Sequence, residues 1–361
     1  MSGTPARTDA DATTDVVCLG ESMVTFLPSQ PGRLADVPSF GRGIGGAESN
    51  VACALAAAGH RAAWVSRVGA DGFGDHLVDA IAAYGVDTSA VRRDPARPTG
   101  IYFRTATDRG TDVHEVAYYR AGSAASAMSP SNVPYEALFA GRVLHLSGIT
   151  AALSADCLEL LHELTAPRPG RPLISFDVNH RPGLWRGADA SPGVLLDLAR
   201  RADLVFVGED EAEEAWGVKG ADAIREALPE PAVLVVKRGA DGATVFSGGP
   251  DPTDTVTDVP ALRVDTVTDV PALRVDVVAP VGAGDAFAAG FLSATLRGLP
   301  VRDRARHGHL MAAAVLTVPG DLTDPPARDR ADRLAALDDA AWGRLRLGPG
   351  WTGDDTEVRT Q

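Results

Sequence analysis

The sequence predicts an α/β protein built on a central, mostly parallel sheet, with a small antiparallel flap over one edge of that sheet. Short apolar segments of strand length alternate with helical segments along most of the chain, a pattern typical of βαβ units. Residues 100–120 differ, because apolar and polar residues alternate there across a turn at Asp108-Arg109-Gly110. The 361 residues, 45% of them hydrophobic, suffice for one large domain.

The first part of the sheet is predicted from two strands and two helices. Residues 16–20 form a short apolar segment, as expected for a parallel strand that is buried on both faces. A helix rich in small residues is predicted at 47–58, a second strand at 62–68 and a second helix at 74–84. Each helix is followed by a glycine, the residue that most often closes a helix.

The flap and the rest of the sheet follow. The two halves of residues 100–120 are predicted to pair as a hairpin with one exposed and one covered face, and residues 21–28 to join them as a further flap strand. Short apolar strands separated by helical segments are then predicted at 143–147, 173–177, 204–207 and 233–237. The domain is therefore expected to span residues 15–345.

Both ends of the chain are expected to lie outside this domain. Residues 1–14 are rich in Thr, Asp and Ala, and they lack the apolar core of a signal peptide, so we expect a disordered leader. Residues 346–361 are rich in Gly, Asp and Thr and are predicted to form a flexible tail.

An exact tandem duplication interrupts the pattern just before the last motif. The eleven residues from Asp254 to Val264 recur unchanged from Asp265 to Val275. Two copies with so short a period do not make a solenoid, so one strand-length segment is spare. Because lengthening a loop adds little closure entropy, we predict that one copy loops out and the other pairs in the sheet.

Charge and composition restrict the partners of the chain. Its formal net charge of −14 disfavours nucleic acids and anionic membranes, so we expect a small-molecule substrate. Cys18, Cys53 and Cys157 are far apart in apolar segments, which predicts buried thiols in a reducing compartment, the cytoplasm. No apolar run is long enough to span a bilayer. The exposed face of the predicted flap suggests a homo-oligomer.

The most informative motif is the turn at 281–285, which reads VGAGD. Gly282, Ala283 and Gly284 present backbone N–H groups at the start of a helix, where anions bind. Asp285 lies at the same end. A carboxylate repels phosphate, so its presence at an anion site calls for a role, such as taking a proton from a nucleophile. This combination indicates phosphoryl transfer to a hydroxyl. The alternative is a tight strand-to-helix turn capped by Asp285. The spacing fits neither a P-loop nor a dinucleotide fingerprint.

This turn resembles the second signature of the ribokinase-like (PfkB) carbohydrate kinases. Residues 45–52, GGAESNVA, and 68–74, VGADGFG, resemble the first signature, and the resemblance runs from about residue 16 to about residue 337. It implies a three-layer α/β/α fold with a β lid, ATP and Mg²⁺ as cofactors, and a sugar as substrate.

Three other segments resemble 2-keto-3-deoxygluconate kinases more than ribokinases, fructokinases or adenosine kinases. They are residues 118–124 (YYRAGSA), 146–150 (LSGIT) and 176–185 (FDVNHRPGLW). They imply phosphorylation of the terminal hydroxyl of a sugar acid. Two alternatives stay open, a kinase for a neutral sugar such as fructose or ribose and an inactive kinase-like sugar sensor or scaffold.

The resemblance also implies roles for individual residues. Asp285 is expected to be the catalytic base and to contact the substrate, and Gly282, Ala283 and Gly284 to form the anion hole. The other residues expected to contact the sugar are Gly45, Gly46, Ala47, Asn50, Ile149, Asn179, Arg181 and, by position, Asp321.

Tyr118 and Arg120 are expected to select an acidic sugar. They are two residues apart on a predicted strand, so their side chains point the same way. A guanidinium on the covered face of the flap suits a carboxylate, and Arg104 on the partner strand could serve instead. The alternative is an exposed arginine on the solvent face.

Nucleotide binding is expected at residues 237–243, KRGADGA, which resemble the family's adenine-side turn. This assigns Lys237, Gly239 and Gly242 to the nucleotide, together with Gly282 and Gly284. Glu211 resembles the acidic residue that helps to organise Mg²⁺, although Gly208 stands where the family usually has asparagine. Ala279-Pro280 replaces a common Asp-Thr pair that often supports a monovalent-cation loop, so the resemblance leaves dependence on such a cation open.

Overall fold

The computed structural model describes residues 14–30, 32–105, 115–185, 192–248, 266–353 and 359–360. Its strands are β1 Thr14–Leu19, β2 Met23–Pro28, β3 Phe40–Gly45, β4 Ala62–Val65, β5 Arg67–Gly69, β6 Arg92–Asp94, β7 Ile101–Arg104, β8 Val116–Tyr119, β9 Gly141–Ser147, β10 Leu173–Asp177, β11 Leu204–Gly208, β12 Val233–Lys237, β13 Ala243–Ser247, β14 Thr266–Val270, β15 Arg274–Val275, β16 Leu345–Leu347 and β17 Arg359–Thr360. Its helices are α1 Ala47–Ala57, α2 Gly72–Ala83, α3 Tyr135–Leu138, α4 Gly148–Ala151, α5 Ala155–Thr165, α6 Pro182–Trp185, α7 Gly193–Arg200, α8 Glu209–Trp216, α9 Ala221–Ala227, α10 Ala283–Leu296, α11 Val301–Leu316, α12 Arg328–Ala335 and α13 Asp339–Arg344.

The central sheet has the strand order β14-β13-β12-β11-β10-β9-β1-β4. Neighbouring strands from β4 to β12 are parallel, whereas β13 and β14 extend the edge in antiparallel fashion. Parallel strands need crossover connections, and the helical segments between the apolar strands provide them. The predicted α/β class with a mostly parallel sheet is confirmed.

Helices cover both faces of this sheet and create two separate cores. Alternate residues of β1 enter opposite cores, with Val16 and Cys18 packing on the side of α1, α10 and α11, and Val17 and Leu19 on the side of α5 and α7. All four side chains are fully buried. This two-sided burial explains why the strands are uniformly apolar, and it gives the three layers that the family resemblance implies.

The flap is a separate sheet with the strand order β3-β2-β7-β8. Its β2–β3 and β7–β8 pairs are antiparallel, but β2 and β7 run parallel, so the flap is mixed rather than antiparallel as predicted. The additional strand β3, FGRGIG, was missed because three of its six residues are glycine, which weakens any strand pattern. The predicted turn at 108–110 lies outside the described residues.

The second copy of the duplication supplies strands in the structure. Thr266–Val270 pairs with β13 at the edge of the central sheet, and Arg274–Val275 pairs with β16. The first copy, residues 254–264, lies outside the described residues, as does the predicted leader up to residue 13.

The C-terminal segment differs from the flexible tail that the sequence suggested. Leu345–Leu347 forms a strand beside β15, and Trp351 is 2% exposed in the same core as α11 and α12. Residues 345–353 therefore pack against the domain, because Leu347 and Trp351 contribute apolar surface that composition alone conceals. In the part of the chain that the structure describes, no helix is both long and apolar enough to cross a bilayer.

Candidate active site

The site is organised by the N-terminus of α10. Gly282 precedes this helix in the left-handed region, with φ of 74°, and a Cβ atom there would lie 2.5 Å from the backbone oxygen of Asp321. Only glycine fits both constraints. Ala283 and Gly284 begin the helix, so their N–H groups belong to the unpaired first turn that attracts anions.

Asp285 lies in the first turn of α10 and is held from the other side by α1. The side-chain amide of Asn50 donates a hydrogen bond of 2.8 Å to Asp285 Oδ2. Burial raises the pKa of Asp285 to about 7 and the negative charge of Asp177 acts in the same direction, while the Asn50 hydrogen bond opposes both. A carboxyl group that titrates near neutral pH is suited to accept a proton from a hydroxyl.

An ion pair lies beside the tip of α10, at the carboxyl ends of β10 and β12. Lys237 Nζ lies 3.1 Å from each carboxylate oxygen of Asp177, and the two side chains are 17% and 3% exposed. In open α/β sheets this is the edge where ligands bind. A Cβ on Gly284 would be 3.7 Å from Lys237 Nζ, so the ammonium faces the helix tip.

The remaining residues expected at this edge lie on neighbouring connections. Ile149 is in α4, directly after β9, and Ser147 at the end of β9 is in register with Asp177. Asn179 has φ of 42° and is 3% exposed. The Oδ1 atoms of Asn50 and Asn179 are buried without a hydrogen-bond partner among the described residues, which marks places where a ligand can donate hydrogen bonds.

The glycines before α1 allow the flap to approach closely. A Cβ on Gly45 would overlap Tyr102 Oη and lie 3.1 Å from Asp321 Oδ2, while one on Gly46 would overlap the backbone oxygen of Glu21. Ala47 is the first residue of α1 and is buried. The flap and the start of α1 thus form one wall of the site.

Glu48 fixes the position of α1 within this wall. Its Oε1 accepts hydrogen bonds of 2.7 Å from the hydroxyls of Ser147 and Thr150, at the end of β9 and in α4. Burial raises its pKa, and the two hydroxyls oppose that change. The motif containing Glu48 was recognised, but this residue was given no role, because its partners are about 100 residues away.

Asp321 joins the flap to the tip of α10. Its carboxylate accepts hydrogen bonds from Arg104 at 2.8 Å and from Tyr102 at 3.4 Å, and its backbone adjoins Gly282. Burial raises the pKa of Asp321, and Arg104 and then Tyr102 oppose that change. Arg104 is therefore partnered inside the protein. The sequence analysis assigned no role to Tyr102, although it lies two residues before Arg104 on the same strand and so points the same way.

Arg120 and Tyr118 share one side of the flap, with the guanidinium carbon 5.9 Å from the centre of the Tyr118 ring. Arg120 forms an ion pair with Glu21, whose side chain is 1% exposed. Glu21 also accepts a hydrogen bond of 2.5 Å from Ser123. The guanidinium expected to bind a sugar carboxylate is thus already paired, a contact that the sequence did not predict.

A cavity of about 840 Å³ lies beside the helix tip, and all of the residues expected to bind nucleotide except Gly282 line it. These residues are Lys237, Gly239, Gly242 and Gly284. The lining also includes Ala272, Leu273 and Val275 from the second copy of the duplication, which sequence reasoning did not assign to the site. Another cavity, of about 1010 Å³, lies near the ends of α1 and α2 and holds none of the predicted site residues.

Glu211 lies in the first turn of α8, directly after β11. Its Oε2 accepts a hydrogen bond of 2.9 Å from the backbone N–H of Gly208, and its Oε1 is 3.6 Å from Arg181, whose side chain is 51% exposed. Across the described residues, no group of three potential metal-binding side chains occurs. Since Mg²⁺ commonly binds phosphates and waters with one or two carboxylates, Glu211 fits an indirect role.

Comparisons with known proteins agree on one family. The family described as pfkB family carbohydrate kinase matches residues 13–328. The 2-dehydro-3-deoxygluconokinase of Bacillus subtilis is 35% identical over 326 residues, covering 88% of this chain and 94% of the relative. That of Thermoproteus tenax is 32% identical, covering 90% and 95%. A sugar kinase of Pyrococcus horikoshii, solved with ATP, is 25% identical with a TM-score of 0.72, covering 87% of this chain and 96% of its own.

Proposed function

Because the chain belongs to the pfkB family of carbohydrate kinases, we propose that it transfers the γ-phosphoryl group of ATP to the terminal hydroxyl of 2-keto-3-deoxygluconate. The observation that carries this proposal is the position of Asp285, a buried carboxyl with a pKa of about 7 in the first turn of α10. The names of the Bacillus and Thermoproteus relatives support the choice of sugar.

The chemistry follows from the helix tip. Asp285 accepts the proton of the sugar hydroxyl while the hydroxyl oxygen forms a bond to the γ-phosphorus. The bond from that phosphorus to the β,γ-bridging oxygen breaks, and ADP leaves with the electron pair. The N–H groups of residues 282–284 stabilise the negative charge on the transferred group.

The nucleotide is assigned to the 840 Å³ cavity, whose wall at Gly284 brings its phosphates to the tip of α10. Mg²⁺, supplied with the nucleotide, would offset phosphate charge. Glu211 would hold the ion through water, since one of its oxygens already accepts the N–H of Gly208.

The sugar is assigned to the space between the flap and the ends of β9 and β10. The unpaired Oδ1 atoms of Asn50 and Asn179 can each accept a hydrogen bond from a sugar hydroxyl. Tyr118 and Arg120 lie on the facing side of the flap, where an arginine can bind the sugar carboxylate if it shares its charge between that group and Glu21.

One observation favours a second candidate, a kinase for a neutral sugar. Both arginines that the sequence offered for carboxylate recognition are paired with buried acids, Arg104 with Asp321 and Arg120 with Glu21. A flap whose guanidinium groups are neutralised in this way also suits fructose or ribose.

A substrate panel separates these candidates. Purified protein would be assayed for ADP release with Mg·ATP and 2-keto-3-deoxygluconate, its galacto epimer, fructose or ribose, with D285N as a control for background ATP hydrolysis. We expect the highest kcat/KM for 2-keto-3-deoxygluconate. An equal or higher value for fructose or ribose would favour the neutral-sugar kinase, and no sugar-dependent ADP release would favour a sensor or scaffold.

The setting of the enzyme completes the proposal. The three cysteines are buried free thiols, which fits a reducing compartment such as the cytoplasm. The exposed aromatic residue Tyr119, on the flap face opposite to Tyr118, supports a homo-oligomer. Dependence on a monovalent cation is tested by comparing rates in potassium, sodium and a bulky organic cation.

A further inference from the structure

We propose that Lys237, held in place by Asp177, is a catalytic residue that binds the γ-phosphoryl group during its transfer. This inference rests on the proposed function and moves Lys237 from the adenine-side turn to the reacting end of the nucleotide. Asp177 is then a positioning residue, since it acts through Lys237.

The first argument is the location of the ammonium group. Lys237 is the last residue of β12, it lines the nucleotide cavity, and its Nζ lies 3.7 Å from the place of a Cβ on Gly284. The same ammonium is thus within reach of the nucleotide and of the anion-binding helix tip. A phosphoryl group at this tip would lie next to a positive charge, as phosphoryl transfer requires.

The second argument is that Asp177 fixes this ammonium. Both carboxylate oxygens of Asp177 accept hydrogen bonds of 3.1 Å from Lys237, across β11, which lies between the two strands. Lysine has a long flexible side chain, and two short contacts to a buried partner restrict its motion. A pre-positioned cation stabilises the transition state without reorganising when the reaction occurs.

The third argument is the balance of charge around Asp285. The charged groups that act on Asp285 are Asp177 and Arg181, at and just after the end of β10, and Lys237 at the end of β12. Glu211 in α8 acts on Lys237. Asn50 in α1, which donates a hydrogen bond to Asp285, is uncharged. His145 in β9 stays neutral, because burial, with Lys237 as a smaller cause, lowers its pKa to about 3.

Lys237 itself keeps its charge in this setting. Burial alone would lower its pKa, but Asp177, Glu211 and Asp285 outweigh burial and raise it. Lys237 and Asp177 therefore act on Asp285 in opposite directions, since the ammonium favours its ionised form and the carboxylate disfavours it.

Variants of Lys237 and Asp177 should shift the acid limb of the pH–rate profile in opposite directions. In K237M we expect kcat to fall about 10²–10³-fold, as on loss of one transition-state donor, and the acid limb of the pH–rate profile to move to higher pH. In D177N we expect a smaller loss in kcat and an acid limb at lower pH. K237R, which keeps the charge, should restore the acid limb of the parent enzyme.

A matched ion pair far from the site controls for structural effects. Arg171, two residues before β10, pairs at 3.0 Å with Asp203, directly before β11, so this ion pair lies at the amino ends of the strands, opposite to the site. R171M should lower the melting temperature and leave the acid limb unchanged. If K237M and D177N behave like R171M, the pair is structural and the inference is wrong.

A binding measurement separates this inference from the proposed function. By calorimetry, K237M should lose affinity for a nonhydrolysable ATP analogue at least tenfold more than for ADP, because only the analogue carries a γ-phosphate. Equal losses would overturn the role of Lys237. If K237M shows this selective loss but the parent protein phosphorylates no sugar, the proposed function alone is overturned.

Discussion

At the scale of single residues, the site depends on where burial and hydrogen bonding place one carboxyl group. Asp285 is buried at a helix tip that attracts anions, and its hydrogen bond to Asn50 limits how far its pKa rises. The same residue can therefore be ionised at neutral pH and still be basic enough to accept a proton.

Replacing Asp285, the proposed base, should slow turnover strongly without disturbing the fold. In D285N we expect kcat to fall about 10²–10⁴-fold, with a similar dissociation constant for sugar, because the amide keeps the shape but accepts no proton. ADP release and sugar titration by calorimetry measure the two quantities. A variant as fast as the parent enzyme would refute the proposed mechanism.

The same substitution should change how stability depends on pH. The folded-state pKa of Asp285 is about 7, above the ordinary value of 3.8, so folding favours the protonated form, and this stability is lost as the pH rises from about 4 through about 7. D285N does not titrate. The melting temperature of D285N, relative to that of the parent protein, should therefore rise between pH 5 and pH 8. A control variant at an exposed aspartate, D329N, should show no such rise.

Asn50 should influence the pKa of Asp285. The Asn50 hydrogen bond lowers the pKa of Asp285, so N50A should raise that pKa and move the acid limb of the pH–rate profile to higher pH. The loss in kcat/KM should accordingly be larger at pH 6 than at pH 8. An equal loss at both values would show that Asn50 acts on sugar binding alone.

At the scale of elements, α10 offers a matched test of the turn that positions the base. Gly282 and Gly298 flank this helix, both in the left-handed region with φ of 74° and 68°. A Cβ at Gly282 would meet the backbone of Asp321, whereas one at Gly298 would meet nothing within 4 Å. Both alanine variants should lose roughly 1 kcal/mol to the left-handed backbone. Only G282A should also lose most of its kcat, as ADP release would show.

The duplication makes a second prediction at this scale. Removing either copy gives the same single-copy chain, in which the one remaining segment should form β14 and line the nucleotide cavity, so kcat/KM should be retained. V270D should bury an unpaired charge in the core and lower the melting temperature of the single-copy chain. In the duplicated chain the other copy has the same sequence, so the loss of melting temperature should be smaller. A single-copy chain that fails to fold would contradict this account.

The sequence predicts elements that have a local apolar pattern, but not glycine-rich strands or contacts between residues that are distant in the chain. The buried parallel strands carry their own signal, as β10 and β12 do with bounds that match the prediction. The glycine-rich β3 carries almost none. The contacts of Glu21 with Arg120 and of Asp177 with Lys237 join residues 60 or more positions apart, so no local pattern reveals them.

At the scale of the whole molecule, an exposed aromatic residue of the flap predicts assembly. Tyr119 is 64% exposed and lies on β8, the edge strand of the flap sheet, on the face opposite to Tyr118. We expect light scattering to give the mass of a dimer or larger oligomer. Y119E should yield monomers, because a charge on this surface opposes its burial. A monomeric parent protein would exclude this assembly.

The link between Arg104 and Asp321 has a consequence for how sugar enters. The two groups are 5% and 7% exposed and join β7 of the flap to the segment that adjoins Gly282 before α10. Any outward rotation of the flap would separate opposite charges that have little water around them, which is costly. We therefore expect sugar binding to be slow if it requires the flap to open, and added salt to speed it only weakly, because buried charges are little screened.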